Sequence, residues 1–220
     1  MNLRPYQQEA IDAVWREWSA GNRRTLLVLP TGTGKTICFA KVAEEAVRNG
    51  KRVLILAHRE ELLNQASEKI KQACGLNTAL EKAENSCLDK WERIVVGSVQ
   101  TLCREQRLAM FSKNYFDVII IDEAHHAASS SYQDILNYFD NANVLGVTAT
   151  PDRADMKNLG TYFDSLAFEY TLPKAIKEGY LSKIRVQTIP LQIDLTKVAI
   201  TAGDFKASDV GNALEPYLVS

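Results

Sequence analysis

The sequence is poor in everything that would tie a chain together covalently or anchor it in a lipid. It has four cysteines in 220 residues, Cys38, Cys74, Cys87 and Cys103, and no Cys-x-x-Cys pair, which argues against a disulfide framework or a zinc knuckle. Neither sign of charge is in excess: 26 Lys and Arg stand against 27 Asp and Glu. No global basic footprint exists, so any surface for a polyanion has to be local. Long apolar runs are missing as well. The longest are strand-sized, and the N-terminus joins no basic region to an apolar stretch, so neither export nor membrane insertion is indicated. A reducing, cytoplasmic setting without a membrane partner is the expectation. The length suits one large domain, or one domain with a substantial appendage.

Hydrophobic periodicity divides the chain. Ile11, Val14, Trp15 and Trp18 recur at helical spacing behind Arg4-Pro5-Tyr6, and Gly21-Asn22 stops that helix. Thr25 to Leu29 is an apolar run closed by Pro30 and a Gly-rich turn, followed by a helix through Ala40, Ala43, Ala46 and Val47. Arg52 to Ala57 repeats the strand, and Leu62, Ala66, Ile70 and Ala73 line the next helix. Further runs at Ile94 to Val96, Val118 to Ile121 and Val144 to Val147 are nearly continuous, as expected when helices cover both faces of a parallel sheet. The pattern predicts a doubly wound α/β fold. After Pro151 the sequence turns polar, Leu172 to Tyr180 reads as a short helix, Ile184 to Ile193 reads as a last strand, and residues 196–220 read as a connector.

Leu29-Pro30-Thr31-Gly32-Thr33-Gly34-Lys35-Thr36 lies between a strand and a helix, the context a phosphate-binding loop requires. Gly32 and Gly34 would let backbone N–H groups converge on phosphates at the helix N-terminus, with Thr31 and Thr33 as further nucleotide-binding candidates of the loop. Lys35 would reach the β and γ phosphates, and the Thr36 hydroxyl would hold Mg²⁺. The alternative, a Gly-rich turn with an incidental lysine, does not account for that context. Downstream, Val118 to Ile121 delivers Asp122-Glu123-Ala124-His125 at the end of a buried strand. Open α/β sheets bind ligands at such ends. Asp122 would share Mg²⁺ with Thr36 and Glu123 would orient and deprotonate an attacking water. An acidic helix cap is the plain reading of the pair taken alone.

With both elements placed, the chain resembles superfamily-2 helicases with a DEAH-type box, in the branch of restriction-enzyme motor subunits. The first position of the phosphate loop, Leu29 rather than Gly, fits that superfamily's relaxed form. The resemblance implies that Leu3-Arg4-Pro5-Tyr6-Gln7 recognises adenine, with Gln7 at its edge and Arg4 in support. It implies that Ala57-His58-Arg59-Glu60-Glu61-Leu62 and Gly97-Ser98-Val99-Gln100-Thr101-Leu102 line a nucleic-acid track through His58, Arg59, Ser98, Gln100 and Thr101. Thr148-Ala149-Thr150-Pro151 with Arg153 resembles the segment that couples nucleotide to domain movement, with Thr148 and Thr150 able to switch hydrogen-bond partners between His125 and neighbouring groups. Tyr170 to Leu181 is also similar to a segment of that branch. By the same resemblance, residues 1–195 would form a RecA-like ATP-binding domain that uses ATP and Mg²⁺. It would act on nucleic acid, DNA rather than RNA, and face a second RecA-like domain whose arginines complete the site, so that this domain alone turns ATP over slowly. The alternative is a nucleotide-controlled nucleic-acid clamp that separates no strands.

Overall fold

The computed structural model describes residues 3–58, 60–149, 159–185, 200–201 and 204–205. Chain contacts divide it into residues 1–182 and 183–220. The first unit opens with α1 (Pro5–Ser19), then β1 (Arg24–Val28), α2 (Lys35–Arg48), β2 (Val53–Ala57), α3 (Glu60–Cys74) and β3 (Thr78–Glu81). It continues through β4 (Ile94–Ser98), the short helices α4 (Val99–Leu102) and α5 (Glu105–Leu108), and β5 (Val118–Asp122). A 3₁₀ turn (Ala124–Ala128), α6 (Ser130–Tyr138), β6 (Asn143–Thr148), β7 (Ser165–Glu169) and α7 (Leu172–Lys177) complete it. In the second unit the described residues form one antiparallel pair, β8 (Ile200–Thr201) with β9 (Asp204–Phe205).

Among the described residues the strands β1 to β7 form one sheet in the order β3-β4-β2-β5-β6-β1-β7, every pair parallel. This is the predicted doubly wound α/β architecture. The continuous apolar runs have their explanation in the side-chain alternation of period two. Leu27 and Leu29 of the first strand run, Ile55 of β2 and Ile120 of β5 enter one core with Ile11, Phe39 and Ile70 of α1, α2 and α3. Their neighbours Leu26, Val28, Leu54, Leu56, Ile119 and Ile121 enter a second core on the other face, under α6, with Phe116, Phe139 and Phe163. A strand buried on both faces has no reason to alternate. No helix among the described residues is long and apolar enough to cross a membrane.

Two strands lack a signal in the sequence, β3 and β7, and they are the two edges of the sheet. Their residues alternate or are half-exposed, so no apolar run marks them. The predicted strand at Ile184 to Ile193 has no strand assignment in its described part, residues 184–185, and otherwise lies outside the described residues. Because all seven strands run the same way, the segments that come after β1, β2, β4, β5 and β6 emerge at one edge. The phosphate loop and the acidic pair are therefore brought to a common side, with β6 between β1 and β5.

One contact beneath that edge is tight enough to test. A Cβ at Gly146, in the middle of β6, would stand 2.4 Å from Phe163 Cζ and 3.0 Å from Ala124 Cβ. Overpacking of this kind costs about 1–3 kcal/mol. Gly146→Ala should lower the melting temperature by roughly 2–4 °C per kcal/mol lost for a chain of this size. A thermal melt reads it, and an unchanged midpoint contradicts the packing described.

Candidate nucleotide and nucleic-acid site

The phosphate loop is held from below. The Thr33 carbonyl accepts hydrogen bonds from the Tyr6 hydroxyl at 2.7 Å and from Gln7 Nε2 at 3.0 Å. Thr33 is fully buried, and both its hydroxyl and its N–H turn back to the Pro30 carbonyl, at 2.6 Å and 3.2 Å. Thr33, expected among the phosphate contacts, is thus the pin that fixes the loop, with its side chain and N–H engaged inward. Thr31 is exposed, and Lys35 and Thr36 are half-exposed on the first turn of α2. The first turn of a helix has no intrahelical partners for its N–H groups, and here the bonding begins with Ile37 donating to Gly34. The N–H groups of Lys35 and Thr36 are the open donors an anion needs.

Gly34 is required twice over. Its φ of 84° lies in the left-handed region, and a Cβ there would meet Gln7 Nε2 at 2.6 Å. Gln7 itself is buried, and its Oε1 accepts the Arg4 N–H at 2.9 Å. A primary amide has two donor hydrogens and two acceptor lone pairs, so one of each remains beyond these two bonds. That is the donor–acceptor pair an adenine edge calls for. The Arg4 guanidinium donates to the Tyr6 hydroxyl at 3.1 Å and lies 5.0 Å over the Tyr180 ring. Tyr6 stacks on the buried Tyr170 at 4.2 Å and meets Tyr180 edge-on at 4.9 Å. The segment from Tyr170 to Leu181 therefore backs the loop, and Leu181 Cδ2 comes within 3.1 Å of where a Gly32 Cβ would be.

Asp122 ends β5, and Glu123 comes next with φ 59° and ψ 65°, a left-handed backbone that costs a side-chain-bearing residue about 1–2 kcal/mol. The Glu123 N–H donates to Asp122 Oδ1 at 3.1 Å. Burial pushes the Asp122 carboxyl above its ordinary range and the adjacent Glu123 charge adds to this, while Lys35 and Lys69 pull it back. Glu123 is about half exposed, with Oε2 3.7 Å from His125 Nδ1. Lys69 of α3 is absent from the residues the sequence marks out. It lines a cavity of about 50 Å³ together with His58, Gln65, Asp122 and Glu123. It also lines a groove of about 350 Å³ with Gly34, Thr36 and Gln72. Its apolar helix neighbours signal a core face, and nothing in their spacing points to the lysine beside them.

The remaining candidates divide. His58 is half-exposed at the end of β2, Ser98 half-exposed at the end of β4, and Gln100 exposed. Thr101 is buried instead, and its hydroxyl accepts the Ala83 N–H at 3.0 Å. Its side chain braces the turn after β3, and the fully buried Glu81 braces the same turn through Arg107 and the Cys87 N–H. Thr148 is buried at the end of β6, and the polar side-chain neighbour described for His125 is Glu123. Arg59, Thr150 and Arg153 lie outside the described residues. His126, which carries no sequence signal either, touches His58 and His125 ring to ring at 4.2 Å and 4.1 Å.

A parallel α/β sheet with a glycine loop pinned after its first strand and two adjacent carboxylates at the end of a central one defines a P-loop nucleotide-binding domain of RecA-like type. Residues 1–153 match the family described as "Type III restriction enzyme, res subunit", and the chain belongs to that family. Within it, the chain is similar to the putative ATP-dependent helicase IRC3 of Saccharomyces cerevisiae, at 32% identity over 96% of this chain and 32% of that protein. It is also similar to the type I restriction enzyme EcoAI endonuclease subunit of Escherichia coli, at 31% identity over 87% of this chain and 25% of that one. The chain thus spans between a quarter and a third of these curated relatives. Among solved structures, the Pyrococcus furiosus Hef helicase domain has the same fold with a TM-score of 0.65, at 24% identity over 83% of this chain and 41% of that chain. The type ISP restriction-modification enzyme LlaGI, solved with a DNA substrate mimic, superposes with a TM-score of 0.61 at 21% identity, covering 82% and 21% of the two chains.

The raised Asp122 pKa gives a pH test. A carboxyl that binds its proton more tightly when folded destabilises the fold once ionised. Below the ordinary value of 3.8 it is protonated in both states and has no effect. As pH rises through the window between that value and the raised folded pKa, the native state loses stability, and the loss is complete above it. In magnesium-free buffer Asp122→Asn should therefore unfold at higher denaturant than the parent at pH 7, with the gap closing in acid. A variant less stable at pH 7 would mean that Asp122 is already compensated.

Proposed function

We propose that this chain is the ATP-binding domain of a helicase or translocase that acts on nucleic acid, with DNA as its track. The observation that carries the reading is the shared sheet edge, where the pinned loop Gly32 to Thr36 and the pair Asp122-Glu123 open on the same side. Lys35 neutralises phosphate charge, the first-turn N–H groups of α2 hold the phosphate oxygens, and the free donor and acceptor of Gln7 read the base. Glu123 holds the attacking water and takes its proton as that oxygen bonds to the γ-phosphorus and the bond to the β-phosphate oxygen breaks.

The donor set suits magnesium. The Thr36 hydroxyl and Asp122 carboxylate are hard oxygen ligands, and Mg²⁺ takes one or two protein oxygens and completes its shell with phosphate and water. A cation there would also offset the adjoining charges of Asp122 and Glu123, where burial first and the Glu123 carboxylate second raise the Asp122 pKa. When bound it supplies charge neutralisation on the phosphates. A second RecA-like domain, beyond residues 1–195, would contribute the arginines that stabilise the transferred phosphoryl group. Such fingers are worth about 10³ to 10⁵ in rate in related phosphoryl-transfer enzymes. The restriction and helicase relatives, and the neighbour solved with a DNA mimic, support DNA as the track.

Lys35→Ala removes a charge-assisted contact worth about 1.5–3 kcal/mol and should weaken ATP-analogue binding by roughly 10- to 100-fold in calorimetric titration. Unchanged affinity in a folded variant sinks the loop assignment. Glu123→Gln keeps the shape of the side chain but cannot take a proton. In the full-length protein, multiple-turnover hydrolysis should fall by about 10²-fold or more while nucleotide binding persists. Near-normal turnover would remove Glu123 from the role of base.

A further inference from the structure

All three histidines of the chain, His58, His125 and His126, meet at one place. They arrive from different elements, His58 from the end of β2 and the other two from the 3₁₀ turn after β5. The His126 ring lies between the others, 4.2 Å from His58 at 50° and 4.1 Å from His125 at 47°. It is also nearly parallel to Tyr132 of α6, at 15° and 6.3 Å. At these separations the rings touch each other. No group of three or more side chains suited to a metal occurs among the described residues. The cluster is mechanical in character, and at its far end His125 Nδ1 stands 3.7 Å from Glu123 Oε2.

We propose that His126 is a positioning residue that couples occupancy of the nucleic-acid track at His58 to the orientation of Glu123. The inference rests on the nucleotide-motor reading and deepens it. Coupling needs an element with two arrangements as well as contiguity, and the turn after β5 has the makings of one. Glu123 sits in a left-handed backbone, a conformation that persists only where the surroundings hold it. The next residues form a 3₁₀ turn, whose hydrogen-bond geometry is poorer than that of an α-helix. Ala124 and Ala127 are fully buried and fix the inner side of the turn, while Glu123, His125 and His126 lie on its outer side. A ligand that displaces the His58 ring pushes on His126, and the outer side yields by changing the backbone at Glu123. The acid pair and the track residue are then two ends of one packed unit.

The test uses the full-length protein, with ATP hydrolysis measured with and without a DNA duplex of fixed length and DNA affinity measured by anisotropy. His126→Ala should lower DNA-stimulated turnover by about tenfold, within the usual range for coupling between two sites, and leave unstimulated turnover and DNA affinity within about twofold. His126→Phe keeps a ring in the stack and should retain most of the stimulation. The double variant His58→Ala/His126→Ala should lose no more stimulation than the worse single one, because both changes break the same contact. Full stimulation in His126→Ala overturns the inference. So does a His126→Phe variant as impaired as the alanine, which would place the role in hydrogen bonding, and so does a DNA affinity that falls in step with stimulation. A parent protein that hydrolyses ATP but shows no response to any nucleic acid would refute the motor reading itself and the coupling with it.

Discussion

The carbonyl of Thr33 is the point on which the site depends. A glycine loop free enough to wrap a phosphate is also free enough to collapse, and here two side chains of α1 remove that freedom by donating to the same oxygen. The consequences spread in both directions. Toward the solvent, the bonded Gln7 amide occupies the space where a Gly34 side chain would go, so the identity of that glycine stems from the clamp as well as from its φ. Toward the core, the Tyr6 ring that carries one of the donors is stacked on Tyr170, which ties the loop to a segment 137 positions beyond Thr33 in the chain. A helix at the start of the chain and a short segment after the last sheet strand thus both hold the glycine loop in place, although neither belongs to it.

Legibility in the sequence tracks burial. Every strand covered on both faces leaves an unbroken apolar run, and α1, α2 and α3 leave a period of 3.6; those elements are readable from the residues alone, whereas the short α6, with only Tyr132, Ile135 and Leu136 buried, is not marked out. The strands at Thr78–Glu81 and Ser165–Glu169 are edges with partners on one side only, and their half-exposed residues carry no comparable signature. At the site, the residues whose chemistry is fixed by type and neighbours in sequence, such as Gly34-Lys35-Thr36 and Asp122-Glu123, are legible as candidates. Those whose role is set by a contact across the fold are not. Thr101 reads as a small hydroxyl at a strand end, and only the Ala83 N–H that it accepts shows that it faces the body of the domain. Lys69 and His126 have no local signature at all, because what distinguishes them is proximity to residues some fifty or more positions away.

The acid pair is the least comfortable part of the structure in its own terms. One carboxylate is partly buried beside another, with lysine charge that only partly offsets the two, and the second sits on a left-handed backbone. Such a cost is tolerated where the surroundings over-determine the geometry. The surroundings do so from beneath: Ala124, next to the strained residue, packs against Gly146, and the Phe163 ring fills the space that a larger residue at that position would need. β5 and β6 pair over the whole length of β5, so the strand that carries the pair cannot shift to relieve it. The rigidity of the floor and the strain of the turn belong together. A soft floor would let Glu123 relax into an ordinary conformation and leave its carboxylate without a fixed direction. A turn without strain would have nothing to release when a ligand pressed on the histidine stack above it.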